Sequence, residues 1–126
     1  MIKLIADLIS ILNDSGFCED IQILETSHFS SQQYGFKIRT TIFSKYFLQI
    51  RIYYNLGHYD YSYQIFGDEP ICRWDNKEHF PGIKSYPHHY HTIEGDVIDS
   101  PLKGLPIQDL KFLIKELKKL KQHFQK

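Results

Sequence analysis

The chain has 126 residues, no formal net charge, 42% hydrophobic and 24% charged residues, and a high aromatic share of 15%. This balance fits a single globular domain over residues 1–126 with a real core, and it excludes disordered, collagen-like and coiled-coil classes. Zero net charge gives the whole chain no electrostatic bias toward nucleic acid or membrane, and no apolar run approaches the roughly 20 residues that cross a bilayer, so no membrane partner is expected.

Residues 2–13 place Ile2, Ile5, Leu8 or Ile9, and Leu12 on one face at helical spacing. The Asn13-Asp14-Ser15-Gly16 cluster stops this predicted helix. It carries Asp7 and lacks a small-residue cleavage site, so it reads as a helix rather than a signal peptide, and a cytoplasmic protein is expected. Cys18 and Cys72 form neither a disulfide framework nor a CxxC pair, which agrees with a reducing compartment and two small apolar side chains.

From Asp20 the period changes to two. Ile21 and Ile23, then Phe36, Ile38, Thr40 and Ile42, alternate with polar neighbours that include Lys37 and Arg39. Residues 46–55 predict a third strand, dense in Phe, Ile and Tyr with Gln49 and Arg51 inserted, and Asn55-Leu56-Gly57 turns the chain into a fourth carrying Tyr59, Tyr61, Tyr63 and Ile65. After the Gly67–Pro70 turn, residues 71–75 make a short fifth strand. Residues 76–106 hold four of the five prolines and predict a long ordered loop, with at most one short strand near Val97.

The closing helix starts at Pro106 and carries an apolar stripe of Leu110, Leu113 or Ile114, Leu117, Leu120 and Phe124. Lysines fill its other face, so residues 103–126 have a charge balance of +5 against −5 for residues 1–102. The expected class is therefore α+β: an antiparallel meander of about five strands with an N-terminal and a C-terminal helix on one face.

Four of the seven histidines fall between positions 79 and 91, in Arg73-Trp74-Asp75-Asn76-x-x-His79 and Tyr86-Pro87-His88-His89-Tyr90-His91. Imidazoles titrate near neutral pH and serve as acids, bases or metal ligands, so this grouping is the strongest candidate site. Two chemistries fit it. A metal-free ribonuclease would use one His to take a ribose 2′-hydroxyl proton, another group to protonate the 5′-oxygen, Arg73 to neutralise the phosphorane and Asp75 to orient a His. The residues leave open which His is acid and which is base. Alternatively His79, His88, His89 and His91 with Asp75 bind a divalent metal as a metal-dependent nuclease; in an extended segment His89 and His91 share a face and His88 points away. No cofactor is otherwise implied.

Blander readings stand beside these. Arg73 and Asp75 can form a side-by-side ion pair, and Trp74 on the opposite face suits a core. The tyrosines Tyr61 and Tyr63, with Tyr53 and Tyr54 on the neighbouring strand, can stack bases or serve as core or interface. The lysine helix can meet phosphates, dock an acidic partner or simply be solvated. A non-enzymatic regulatory module that binds protein or nucleic acid, with a structural or pH-sensitive His cluster, is the competing class, and a homo-oligomer stays open.

The two motifs, in this order and spacing after Tyr61-Ser62-Tyr63, resemble the TumE family of toxin-antitoxin toxins, formerly a domain of unknown function. The resemblance covers about residues 59–100. It implies a toxin held inactive by a cognate antitoxin, in this family usually a small helix-turn-helix-like protein. It carries over Arg73, Asp75, Asn76, His79, His88, His89 and His91 as site residues, with Trp74, Tyr61 and Tyr63 as candidate RNA contacts. This chain has Tyr86 where Phe is usual and Tyr90 where Lys is common.

Overall fold

A computed structural model describes residues 1–124, and the side chains of residues 1–122. Helix α1 (Ile2–Asp14) buries Ile5, Leu8 and Leu12 of the predicted stripe, while Ile2, in its first turn, is exposed. It ends where Ser15 Oγ donates to the Leu12 carbonyl at 2.7 Å and accepts the N–H groups of Phe17 and Cys18, both at 3.2 Å. Gly16 then takes the left-handed φ of 85° that few other residues adopt.

Seven strands follow: β1 (Cys18–Ser30), β2 (Gln33–Ile42), β3 (Tyr46–Asn55), β4 (His58–Phe66), β5 (Pro70–Asp75), β6 (His89–His91) and β7 (Val97–Asp99). They form one sheet in sequential order, each antiparallel to its neighbour. The expected meander is therefore present but longer than the expected five strands. Each added strand has three residues, too few to show alternation, and β6 lies inside the Pro-His segment expected to be loop. The strand anticipated near Val97 is β7.

Alternation along β2 to β5 sorts the side chains onto two faces, whereas β1 is exposed over most of its length. Phe36, Ile38 and Ile42, Leu48, Ile50 and Ile52, Tyr61, Tyr63 and Ile65, and Cys72 and Trp74 join one core with the inner faces of the helices. The closing helix α2 (Pro106–Phe124) contributes Leu110, Leu113, Ile114 and Leu117. Burying each such aliphatic side chain contributes about 1.5–3 kcal/mol, so the two helices hold their places chiefly by this face. Phe124, the last position of the expected stripe, lies outside the described side chains. The lysines at 111, 115, 118, 119 and 121 are exposed, a solvated outer face.

Asp109 anchors the start of α2. Its carboxylate accepts the N–H groups of Lys103, Gly104 and Leu105 at 3.0, 2.9 and 3.1 Å and is buried. Among the described residues, no helix is long and apolar enough to cross a membrane. Among the described residues no helix covers the sheet's second face, which is polar: Lys37 and Arg39, Gln49 and Arg51, Ser62 and Gln64, and Arg73 and Asp75 lie across it in register.

Candidate functional site

The site follows from strand register. β5 pairs with β6 so that Arg73 lies opposite His91, Trp74 opposite Tyr90, and Asp75 opposite His89. Period two then divides these six residues. Trp74 and Tyr90 stack on the core side, centroids 4.4 Å apart and rings 11° from parallel. Arg73, Asp75, His89 and His91 meet on the open face.

Asp75 is the hub, and it is 1% exposed. One carboxylate oxygen takes the Lys77 N–H at 3.0 Å and lies 2.9 Å from His89 Nε2. The other takes Arg73 Nε at 2.8 Å and lies 3.7 Å from His91 Nε2. His89, also 1% exposed, points Nδ1 at the Pro87 carbonyl, 3.1 Å away, so that nitrogen carries a proton. Its Nε2 lies 3.1 Å from His91 Nε2.

Arg73 Nη2, 3.2 Å from the same His91 nitrogen, donates to it, because a guanidinium has no acceptor, so His91 Nε2 is an acceptor. Burial lowers the His91 pKa below its ordinary 6.5, and the Arg73 charge lowers it further against the pull of Asp75. His91 is thus a neutral imidazole at neutral pH. It is also the accessible one: its side chain is 29% exposed and that of Arg73 is 40% exposed, while His89 and Asp75 are sealed behind them. Phe80 covers the cluster edge-on, 4.8 Å from the His89 ring and 5.8 Å from that of His91.

The same three residues, Asp75, His89 and His91, offer donor atoms that all lie within 4.8 Å of one another, a set that can hold a divalent cation. The Pro87 carbonyl on the far nitrogen of His89 is the kind of outer partner that fixes a metal-binding imidazole. The Arg73 guanidinium in contact with both Asp75 and His91 repels a cation there.

The other expected site residues lie elsewhere. His88 points away, as its parity requires, and receives the Tyr61 hydroxyl on Nδ1 at 2.7 Å. Burial lowers the His88 pKa and raises that of Tyr61, so this is a phenol donating to a neutral imidazole. His79 is exposed on the loop after β5, its ring centroid 6.4 Å from that of Phe80. Asn76 is buried, and it completes the β4–β5 ladder by accepting the Tyr61 N–H at 3.0 Å and donating to the Tyr59 carbonyl at 2.8 Å. Tyr61, Tyr63 and Trp74 are core residues, 5%, 0% and 3% exposed. Packed under the helices, they offer no open ring face to a base, because strand parity turns them from the polar face. The Tyr90 departure from the family pattern likewise falls on the Trp74 side, away from Arg73 and His91.

Two sets of residues are given no functional role by the sequence. Ser85 staples the motif loop: its hydroxyl donates to the His88 carbonyl and accepts the Ser100 N–H at 2.9 Å, and its own N–H meets Asp99 at 3.1 Å. The polar row of β3 and β4 lies next to the cluster; Gln49 and Arg51, polar at every second place in an apolar strand, were the signal for it.

Fold and site define a small α+β protein with a bare polar sheet face and a His-Asp-Arg cluster at one end of it. The family model of Toxin TumE matches residues 7–121, and the chain belongs to that family of toxins. The match extends well past the motif region at both ends. No curated protein and no solved structure matches the chain.

Proposed function

We propose that this toxin is a ribonuclease whose reacting groups are His91 and Arg73, positioned by Asp75 and His89. The observation that carries the reading is the neutral, partly exposed His91, held 3.2 Å from the Arg73 guanidinium with the buried His89–Asp75 pair behind it. A phosphate entering beside Arg73 draws the guanidinium off His91, and His91 Nε2 then takes the proton of the 2′-hydroxyl. As His91 gains charge, the Asp75 carboxylate, 3.7 Å from its Nε2, offsets it. The 2′-oxygen bonds to phosphorus, Arg73 neutralises the phosphorane, and the bond from phosphorus to the 5′-oxygen breaks. We assign His79, exposed beside Phe80, to protonate the departing 5′-oxygen. The products are a 2′,3′-cyclic phosphate and a 5′-hydroxyl. A cognate antitoxin restrains the activity.

Incubating the purified chain with single-stranded RNA and analysing the ends tests this. Cyclic phosphate ends that disappear in His91→Ala are expected; intact RNA refutes the reading.

A second reading is favoured by the convergence of Asp75, His89 and His91: a metal-dependent nuclease. Chelation separates the two. The metal-free reaction proceeds unchanged in EDTA, whereas a metal nuclease stops and the purified chain carries metal in stoichiometric amount.

A further inference from the structure

Arg73 and Asp75 of the cluster line a trough of about 550 Å³ on the polar sheet face, together with Arg51, Tyr53, Ser62 and Gln64 among others, and Arg73 and Gln64 also line the smaller pocket that holds His91. The cations of this face are not equivalent. Lys37 is tied to Glu25 at 2.9 Å, and Arg39 to Gln49 at 2.7 Å. Arg51 is exposed and, among the described residues, has no hydrogen bond or ion pair; Glu25, which already holds Lys37, feels its charge. Arg51 lies opposite Ser62, and Ser62 opposite Asp75. Two strand spacings, about 10 Å, therefore separate its backbone from that of the cluster, within the reach of neighbouring nucleotides.

Tyr53 stands one pleat along. Its ring leans over Gly35, where a Cβ would come within 3.1 Å of Tyr53 Cδ2, and its hydroxyl accepts Gln33 Nε2 at 2.7 Å. Glycine opposite the ring makes room for it, and the hydroxyl contact fixes its far end. The side chain is nonetheless 36% exposed, so a fixed aromatic surface faces the trough.

We infer that this trough is a binding track for single-stranded RNA, in which Arg51 holds a phosphate next to the cleaved one and Tyr53 stacks a base. The inference rests on the ribonuclease reading and names its substrate class. Stacking on one ring needs an unpaired base with a free face, which a duplex does not present.

Fluorescence anisotropy tests it, with a short labelled single-stranded RNA of mixed sequence and protein carrying His91→Ala to prevent turnover. Adding Arg51→Ala should weaken binding about tenfold and reduce the salt slope by about one. Adding Tyr53→Ala should weaken it about tenfold, whereas Tyr53→Phe, which keeps the ring, stays within about threefold. The same sequence as a duplex should bind at least about tenfold more weakly. Circular dichroism checks each fold, and Arg51→Gln replaces Arg51→Ala if that variant unfolds. Absent binding, equal binding of duplex, or single-strand binding unchanged by both the Arg51 and the Tyr53→Ala substitutions overturns the track. Cleavage by the unsubstituted chain is read separately. RNA cut with binding indifferent to Arg51 and Tyr53 removes the track and leaves the nuclease; RNA bound through both but left uncut removes the nuclease and leaves the track.

Discussion

Replacing Asp75 by Ala should be among the most destabilising single changes on the polar face. The side chain is 1% exposed and takes donors from Arg73 Nε at 2.8 Å and Lys77 N–H at 3.0 Å, with His89 Nε2 at 2.9 Å. Arg73 is 40% exposed, so water screens that arm and repairs part of its loss. His89 is 1% exposed and has no such recourse. Leaving a buried polar group of this kind unsatisfied costs about 1–3 kcal/mol. Urea unfolding followed by circular dichroism reads the change as a lower midpoint at constant slope. His79→Ala is the control: on an exposed loop position it should cost less than about 0.5 kcal/mol. An Asp75→Ala variant within about 1 kcal/mol of the parent would refute the buried hub.

Stability should depend on pH through His88 and His91. Both pKa values lie below 6.5 in the fold, so the unfolded chain binds more protons and stability rises with pH. Their contribution is complete above about pH 6.5 and is lost as the pH falls toward the lowered values; an acid-side loss unchanged in a His88→Gln, His91→Gln double variant contradicts this. Asn76→Ala removes both side-chain bonds that close the β4–β5 ladder and leaves the Tyr61 N–H buried and unpaired. A loss of about 2–3 kcal/mol in urea unfolding is expected, and a neutral result would contradict the clamp. Tyr63→Phe should be neutral or stabilising by up to about 1 kcal/mol, because its hydroxyl is buried and has no partner among the described residues; a loss above about 1 kcal/mol would reveal one.

Much of this architecture was legible from spacing. Ile5, Leu8 and Leu12, and later Leu110, Leu113 and Leu117, mark both helices because tertiary packing needs what the 3.6-residue period supplies. Strands β2 to β4 show their alternation over nine or ten residues each. β6 shows nothing comparable: its three residues pair because β5 offers an open edge, a long-range cause that no local pattern carries. The shared face of His89 and His91 followed from period two, as did the divergence of His88. That Asp75 lies between them depends on the β5–β6 register, which a chain of thirteen intervening positions, including Pro81 and Pro87, does not reveal. The tyrosine row was read as an open face or a core, and the helices decided for the core. Of the tyrosines that the sequence offered for base stacking, Tyr61 and Tyr63 are core, as is Trp74, and Tyr53 is one that parity leaves outside.

The most direct measurement is the chemistry of the RNA ends left by the purified chain in the presence of EDTA, compared with the His91→Ala protein. Accumulating 2′,3′-cyclic phosphate and 5′-hydroxyl ends, lost in His91→Ala while its circular dichroism spectrum stays native, are the expected result. RNA that remains whole, or equal cleavage by the two proteins, would contradict a site built on His91.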